Sequence, residues 1–334
     1  MRERGTDRMN KMFKRVAVMA LGVMVFGVAA LPVLTGAQAN EAGNGFRVSP
    51  VRSELTIEKG SSETLNVTVE NPTDANVIAR AVVNDFVASE NEDGEPRLIL
   101  DEDTPAPKNS FKSLVGSLPD VQLGPREKKE LPVTITIPEN ANAGGYYGAV
   151  RFVPASSSDS GNVALTASVG SIVLVRVPGD LTERLNLVEL GAAKVGGNVT
   201  SFLTSGDVQV VTRLKNTGDI HVQPFGKVQV KNMFGKVVQE FELNANEPRA
   251  NILPESTRRF EDKLNKPKGG WIGRYTITAN IGYSQGSGDL ISTTASFWYV
   301  PMWAVAALFV LLAAIIGAIF WFKSKSGSSH ARRP

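Results

Sequence analysis

Apolar and polar residues alternate with a period of two in many short segments between residues 46 and 300. Residues two apart lie on the same face of a β-strand, so each segment predicts a strand with one buried and one solvent-facing side. The clearest examples are Leu65–Val69, Val133–Ile137, Val208–Thr212, Val228–Val230 and Tyr275–Ala279. Since no part of this region sustains a helical period for long, the sequence predicts that it folds as β structure.

Turn-forming residues separate the predicted strands, as at 71–74 (Asn-Pro-Thr-Asp) and 216–219 (Asn-Thr-Gly-Asp). Many short strands at this spacing are typical of Greek-key sandwiches of the immunoglobulin-like (Ig-like) type. We therefore predict an all-β chain with two tandem Ig-like sandwiches, at residues 46–178 and 180–300. Similar turn residues recur in both halves, which indicates a weak internal repeat with an extra segment near residues 88–113 of the first half.

An apolar run at the N-terminus predicts export. Lys14 and Arg15 precede Val16–Leu34, and Ala37-Gln38-Ala39 follows. A positive flank, an apolar centre and a small-x-small end are the parts of a secretory signal peptide, here residues 1–39 with cleavage after Ala39. The alternative is an uncleaved signal anchor, because the apolar run is somewhat long.

A second apolar run near the C-terminus predicts a membrane anchor. Residues 301–322 contain no charge and, as a helix, would span roughly 33 Å. Trp303 and Trp321 lie near its ends, and Trp298 just before it is interpreted as a further interfacial anchor. The basic tail at residues 323–334 is expected in the cytoplasm by the positive-inside rule. The prediction is a single-pass type I protein of the cell membrane with residues 40–300 outside.

The charge distribution argues against a nucleic-acid partner. The formal charge of +3 arises at the termini, since residues 1–15 and 323–334 each carry a net +4, which leaves −5 for residues 16–322. No basic stripe for phosphates remains in the folded region.

Residue usage also argues against an enzyme. The chain has no cysteine and only two histidines, His221 and His330, and shows no G-x-S-x-G, H-E-x-x-H or P-loop motif. We therefore predict no catalytic residue, no metal, no cofactor and no small-molecule substrate. A large cysteine-free exported region also favours a bacterial source.

Two features are the candidate binding elements. Tyr146 and Tyr147 follow a glycine pair and are speculative ligand contacts, because aromatic rings can stack on sugars; the alternative is that one ring lies in the core and the other covers a sheet edge. Within the extra segment, residues 90–103 form an acidic loop. Clustered carboxylates suit calcium, but the EF-hand spacing is absent, so a solvated loop is the alternative.

Several strand and turn motifs resemble those of the WxL-interacting proteins, a family of bacterial cell-surface proteins. They lie at Phe46–Pro50, Leu55–Gly60, Val67–Asn71, Leu123–Pro138 and Ala143–Val150. The resemblance implies a signal peptide, two Ig-like domains, one C-terminal membrane helix and a basic tail. It also implies that the first domain binds peptidoglycan and that the second binds other proteins.

The combined prediction is a non-enzymatic surface protein that contacts peptidoglycan or a cell-wall protein. Two alternatives remain at this point. One is an assembly or chaperone-type scaffold that binds exported proteins by β-strand addition. The other is a calcium-dependent adhesin that uses the acidic loop.

Overall fold

The computed structural model describes residues 45–100, 104, 107–155, 168–267, 270–283 and 290–326. The predicted signal peptide (1–39), Asp101–Asp103 of the acidic loop and residues 327–334 of the predicted tail lie outside the described residues. The described part is mostly β-sheet with one apolar C-terminal helix, as the sequence predicts.

Residues 46–177 form a first β sandwich. Its strands are β1 (Arg47–Ser49), β2 (Arg52–Thr56), β3 (Ser62–Glu70), β4 (Val77–Ala88), β5 (Pro96–Leu98), β6 (Val121–Leu123), β7 (Lys128–Thr136), β8 (Gly144–Pro154) and β9 (Val169–Val177), with a 3₁₀ turn at Lys112–Leu114. One sheet has the order β1-β3-β7. The other has the order β2-β9-β8-β4-β5, and β6 also pairs with β4. The pair β2–β9 is parallel and the other pairs are antiparallel.

Residues 185–299 form a second sandwich. Its strands are β10 (Leu185–Lys194), β11 (Phe202–Leu203), β12 (Val208–Asn216), β13 (Phe225–Asn232), β14 (Val237–Leu243), β15 (Thr257–Lys263), β16 (Gly273–Gly282) and β17 (Leu290–Tyr299). The sheets have the orders β10-β12-β15 and β11-β17-β16-β13-β14, with β11–β17 parallel. This strand order repeats that of the first sandwich.

Alternation places one face of each main strand in a hydrophobic core. In the first sandwich Val67, Val69, Val133 and Ile135 are fully buried, and the residues between them are more exposed. Burying such side chains stabilises the fold by about 1.5–3 kcal/mol each. The periodic signal in the sequence therefore marks the residues that hold the two sheets together.

One strand departs from the predicted pattern. Alternation in Val208–Thr212 predicts that one side of the strand faces solvent, but all five residues are buried. β12 lies between β10 and β15, and Val199 packs on Gly191, which pairs directly with Val211. The segment after β10 thus covers part of the face that was expected to be exposed.

The C-terminal helix, α1 (Met302–Ser326), begins three residues after β17 ends. Its stretch Met302–Lys323 is long and apolar enough to cross a membrane, and none of it is buried in the protein. The predicted anchor at 301–322 therefore corresponds to a single exposed helix.

Strand directions define the two ends of the first sandwich. β8 begins at Gly144, paired with Val177 beside the second sandwich, and finishes at Pro154, paired with Ala79. The loops near Ala79 therefore lie at the end away from the second sandwich. We call this end, formed by residues 71–78 and 122–127, the distal end.

Candidate functional site

A buried asparagine organises the distal end. Asn71 follows β3 and is 1% exposed. Its Nδ2 donates hydrogen bonds to the carbonyl oxygens of Ala75 (2.7 Å) and Gly124 (2.8 Å), and its Oδ1 accepts one from the Thr73 backbone N–H (3.0 Å). Three backbone groups that would otherwise be unpaired are satisfied by one side chain. This asparagine therefore joins the loop after β3 to the turn before β7.

The same arrangement occurs in the second sandwich. Asn216 at the end of β12 donates to the carbonyl oxygens of Ile220 (2.8 Å) and Ile252 (2.9 Å) and accepts from Gly218 N–H (2.9 Å). Each asparagine faces a turn that contains a proline, Pro125 or Pro254. The residue after the proline has a positive φ, 57° at Arg126 and 58° at Glu255. The repeated turn residues in the sequence thus mark equivalent corners of the two sandwiches.

Beside the Asn71 corner, the distal end carries a groove of about 560 Å³. It is lined by residues 76–78, 122–124, Glu127 and Lys129. The side-chain amides of Asn76 and Gln122 have no hydrogen-bond partner among the described residues, and Ile78 is 43% exposed. The groove therefore offers free amide donors and acceptors next to an apolar side chain.

The charged groups of this groove are held in place internally. Glu127 Oε2 accepts from Gly124 N–H (2.6 Å), and Glu127 Oε1 lies 3.2 Å from Lys129 Nζ. The hydrogen bond from Gly124 and the neighbouring Lys129 ammonium hold the pKa of Glu127 below its usual range. Lys129 Nζ also donates to the Gln122 carbonyl (2.6 Å). One rim of the groove is therefore rigid.

The predicted site residues Tyr146 and Tyr147 lie at the opposite end. Tyr146 is 5% exposed in the core of the first sandwich, and its hydroxyl donates to the Asn142 carbonyl (3.1 Å). Its ring presents no face on which a sugar could stack. The alternative stated for one of the two tyrosines, a core position, describes Tyr146.

Tyr147 contacts the second sandwich. Its hydroxyl accepts a hydrogen bond from the His221 backbone N–H (3.0 Å) and lies 3.2 Å from His221 Nδ1. The hydroxyl can donate to Nδ1 only when that nitrogen is unprotonated, and burial lowers the pKa of His221 to about 4. Burial likewise raises the pKa of Tyr147. The pair is neutral at pH 7. A ligand contact at Tyr147 stays a prediction.

A second contact between the sandwiches centres on Glu54, which sequence reasoning missed. Its carboxylate accepts hydrogen bonds from Arg52 of its own sandwich and from Gln223 (3.0 Å) and Asn251 (2.6 Å) of the other. Burial raises the pKa of Glu54, but the hydrogen bonds from Arg52 and Asn251 outweigh that effect and lower it. A polar cleft of about 550 Å³ lies beside this carboxylate.

The extra segment makes the third contact. Both Glu92 carboxylate oxygens accept from Arg213 (2.6 and 2.7 Å), and the Glu92 carbonyl accepts from Arg259 N–H (2.8 Å). Gly94, with φ of +75°, lies under the Arg258 guanidinium, where a Cβ would clash. The part of the acidic loop that the structure describes therefore binds the chain's own second sandwich. We call the three contacts together the junction.

Within the described ranges, no group of three or more His, Asp or Glu side chains could hold a metal ion. Glu92 is paired with Arg213, and Asp93 Oδ1 accepts from Glu95 N–H (2.8 Å). Asp101–Asp103 lie outside the described residues.

The edge strands bear on the strand-addition alternative. Edge strand β15 has the sequence Thr-Arg-Arg-Phe-Glu-Asp-Lys, in which five of seven residues are charged. Edge strand β14 carries Glu240 and Glu242, and β5 and β11 are three and two residues long. Charged or short edges resist pairing with another chain, so these four edges are poorly suited to strand addition.

Comparison with solved structures gives loose alignments, several of them with bacterial chaperones. The class 5 fimbriae chaperone CfaA is 12% identical, with a TM-score of 0.36, over 75% of this chain and 98% of that one. The Escherichia coli chaperone DraB is 15% identical (TM-score 0.33, 74% and 96% covered), and the Pseudomonas aeruginosa chaperone CupB2 is 11% identical (TM-score 0.31, 75% and 100% covered). TM-scores this low support no conclusion about function. No curated protein matches the chain.

Comparison with protein families gives a match at the first sandwich. Residues 53–153 match the WxL Interacting Protein, peptidoglycan binding domain. The match begins in β2 and ends in β8, so it includes the distal end, the groove and the extra segment near residues 88–113. The motifs that suggested this family from the sequence lie largely within it. The match confirms the resemblance seen in the sequence for residues 53–153, which correspond to that family's peptidoglycan-binding domain.

Proposed function

We propose that this chain is a non-enzymatic bacterial surface protein, held to the membrane by α1, whose first sandwich binds peptidoglycan at its distal end. The family match over residues 53–153 carries the proposal. The chain is inferred to be exported by the signal peptide at 1–39. In the mature protein, residues 40–300 would then lie outside and the basic tail in the cytoplasm.

The proposal includes an Ig-like fold for both sandwiches. Each combines a three-stranded sheet with a longer one, and in each the first strand of the longer sheet pairs in parallel with the last. Two mainly antiparallel sheets packed around a core of alternating residues support the Ig-like assignment.

The placement of the groove supports the distal end as the binding surface. The opposite end of the first sandwich is occupied by the junction, and β10–β17 separate it from α1. The distal end is therefore the part of the first sandwich that would extend farthest from an anchoring membrane, towards the wall.

The chemistry of the groove also suits peptidoglycan. Its glycan chains carry hydroxyl and acetamido groups, and its peptides carry amides and carboxylates. The free amides of Asn76 and Gln122 can donate to and accept from such groups, and Ile78 can pack on their apolar faces. An open groove lined mainly by uncharged groups fits a repeating polymer rich in hydroxyl and amide groups better than a small, highly charged metabolite.

The test is co-sedimentation of the full chain, in detergent micelles, with isolated peptidoglycan sacculi. Ile78→Asp should lower the bound fraction at least threefold, because it places a charge among the apolar contacts of the groove. Val188→Asp is the matched control, since Val188 is similarly exposed (48% against 43%) but lies on the second sandwich.

Each outcome is decisive. If the unmodified chain fails to pellet, the wall-binding proposal is wrong. If it pellets and both variants pellet equally well, peptidoglycan binds elsewhere than the groove.

A further inference from the structure

Exposed aromatic residues gather at one end of the second sandwich. Outside α1, the described aromatic side chains that are at least 36% exposed are Phe202 (53%), Phe225 (36%), Phe234 (85%) and Trp298 (45%). Three of these four lie at the end from which α1 leaves, and Met233 (57%) and Ile272 (50%) lie there too. Exposed apolar groups that cluster in this way, rather than occurring singly, mark an interaction surface.

Strand register brings these side chains together. Phe202 pairs with Trp298, and Trp298 pairs with Arg274. On the far side of β16, Asn232 pairs with Tyr275, so the β13–β14 turn at 233–236 extends past the start of β16. The Met233 sulfur lies 3.0 Å from the position that a Cβ on Gly273 would occupy, which places it beside Ile272. α1 starts only three residues after Tyr299, at the same end.

The β13–β14 turn is ordered by its own hydrogen bonds. Asn232 Oδ1 accepts from the backbone N–H groups of Phe234 and Lys236, both at 3.0 Å. Asn232 N–H donates to the Lys236 carbonyl and Gly235 N–H to the Asn232 carbonyl, both at 2.9 Å. Because three of the four N–H groups of this turn are paired, moving the turn into a layer of lower polarity leaves few donors unsatisfied. Phe234 is thus held outward by a rigid turn.

The composition of this end matches a membrane interface. Aromatic residues are enriched at the level of lipid headgroups, and lysines near them extend their ammonium groups towards the headgroup phosphates. Lys236 and Lys266 are both exposed here. The end is also continuous with α1, whose first exposed residues include Met302 and Trp303.

We infer that the β13–β14 turn, together with Ile272 and Trp298, lies in the interfacial layer of the bilayer that α1 enters. The inference rests on the proposed membrane anchoring by α1. It adds a second membrane contact that would fix the tilt of the second sandwich and so direct the first sandwich away from the membrane.

The absence of cysteine allows a direct test on the full chain. Single cysteines are introduced as Phe234→Cys, Trp303→Cys and Ile78→Cys and labelled with the fluorophore NBD. The labelled chains are reconstituted into vesicles of phosphatidylcholine and phosphatidylglycerol (3:1), with or without lipids brominated near the headgroup end of the acyl chain. Quenching by bromine reports contact with the upper acyl layer.

The label at residue 234 should be quenched to at least half the extent of the label at residue 303, and the label at residue 78 should not be quenched. If residue 303 is quenched and residue 234 behaves like residue 78, the inference is wrong and the membrane anchor stands. If residue 303 is not quenched either, the anchoring proposal fails and the inference fails with it.

A substitution separates lipid contact from label artefacts. In chains labelled at Lys236→Cys, Phe234→Asp should reduce quenching at least threefold, because a carboxylate opposes entry into the interface. Leu290→Asp, at another exposed apolar position (62%), is the matched control and should leave quenching unchanged. Equal quenching in the Phe234→Asp and control chains would overturn the inference.

Discussion

The corners at Asn71 and Asn216 have the same hydrogen bonds but different surroundings. Asn216 belongs to the end of the second sandwich that meets the first, where His221 in the following loop contacts Tyr147. Asn71 belongs to the distal end, where the described residues of the next loops contact no other domain. The second sandwich uses this end to contact the first sandwich. The equivalent end of the first sandwich is the distal end, which is accessible to a ligand.

The comparison separates what the fold requires from what each site has added. The asparagine and the proline turn occur in both sandwiches and therefore serve the corner itself. The loop after Asn216 adds His221 and Gln223, which make contacts in the junction. The segment after Asn71 instead adds Asn76 and Ile78, which line the groove. Substitutions of the shared and the added residues should have different consequences.

The largest expected effect is on the shared residue. Asn216→Ala leaves two buried carbonyls and one N–H unpaired and should lower the free energy of unfolding by about 3–5 kcal/mol. Asn71→Ala should cost less, about 2 kcal/mol, because its hydrogen bonds are only partly buried and water can replace them. Urea unfolding of the full chain in detergent micelles measures both.

Asn186→Ala is the control for this comparison, because Asn186 makes one exposed hydrogen bond to Thr217 and should cost under about 0.5 kcal/mol. Equal losses at Asn71 and Asn216 would show that solvent does not reach the distal corner.

Lowering the pH should weaken the junction and reduce the free energy of unfolding by an amount similar to that expected for Asn216→Ala. His221 has a pKa of about 4 in the folded chain, below the ordinary value of 6.5. Between these pH values the unfolded chain binds a proton at His221 that the folded chain does not, so the free energy of unfolding falls as the pH is lowered from 6.5 to 4. The full loss is about 3 kcal/mol, since one pKa unit corresponds to about 1.4 kcal/mol.

The groups that face His221 act on this titration in both directions. The carboxylates of Glu54 and Glu183 raise the pKa of His221, and the guanidinium groups of Arg176 and Arg52 lower it, but burial is the largest cause. His221→Gln removes the titrating group, so its loss of stability between pH 6.5 and 4 should be smaller than that of the unmodified chain. Parallel pH curves for the two proteins would contradict the assignment.

The sequence predicts much of the fold because one rule, alternation, applies to each strand separately. It fails where tertiary contacts decide, as at Gln209 and Val211, which are buried by neighbouring strands and by the segment that follows β10. The sequence interpretation also treats Tyr146 and Tyr147 as one binding element, although consecutive residues in a strand face opposite sides of the sheet. One therefore lies in the core and the other faces His221.

The sites were harder to predict than the strands. Glu54 meets Gln223 and Asn251 across 169 and 197 residues of chain, and no local pattern indicates such a contact. The sequence shows a cluster of acidic residues around Glu92, but it does not show that Arg213 is the partner of Glu92. The recurrence of Asn71 and Asn216, each facing a proline turn, is a local signal in the sequence, and it marks equivalent corners of the two sandwiches.

The hydroxyl of Tyr147 should have a moderate effect at the junction. Tyr147→Phe keeps the ring but removes the acceptor for the partly buried His221 N–H, at a cost of about 1–2 kcal/mol. The matched control is Tyr146→Phe, whose lost partner is a single carbonyl in the first sandwich and whose effect should not extend to His221. Hydrogen exchange of the His221 amide should accelerate in Tyr147→Phe alone. Equal exchange in the two variants would show that Tyr147 does not hold the junction together.

The smallest expected effect is at the contact made by the extra segment. The Glu92 and Arg213 side chains are 28% and 29% exposed, so their ion pair is partly screened by solvent and contributes about 1 kcal/mol. The Arg213 guanidinium holds the pKa of Glu92 below its usual range by hydrogen bonding, so this contribution is lost as acid protonates the carboxylate. Glu92→Gln should lower the free energy of unfolding by that amount in 50 mM salt and by less in 1 M salt, because salt screens exposed charges. Glu90→Gln, a neighbouring exposed carboxylate, should change stability at neither salt concentration. No cost for Glu92→Gln at either concentration would show that the segment is held by the Glu92 backbone and Gly94, and that the carboxylate adds nothing to the junction.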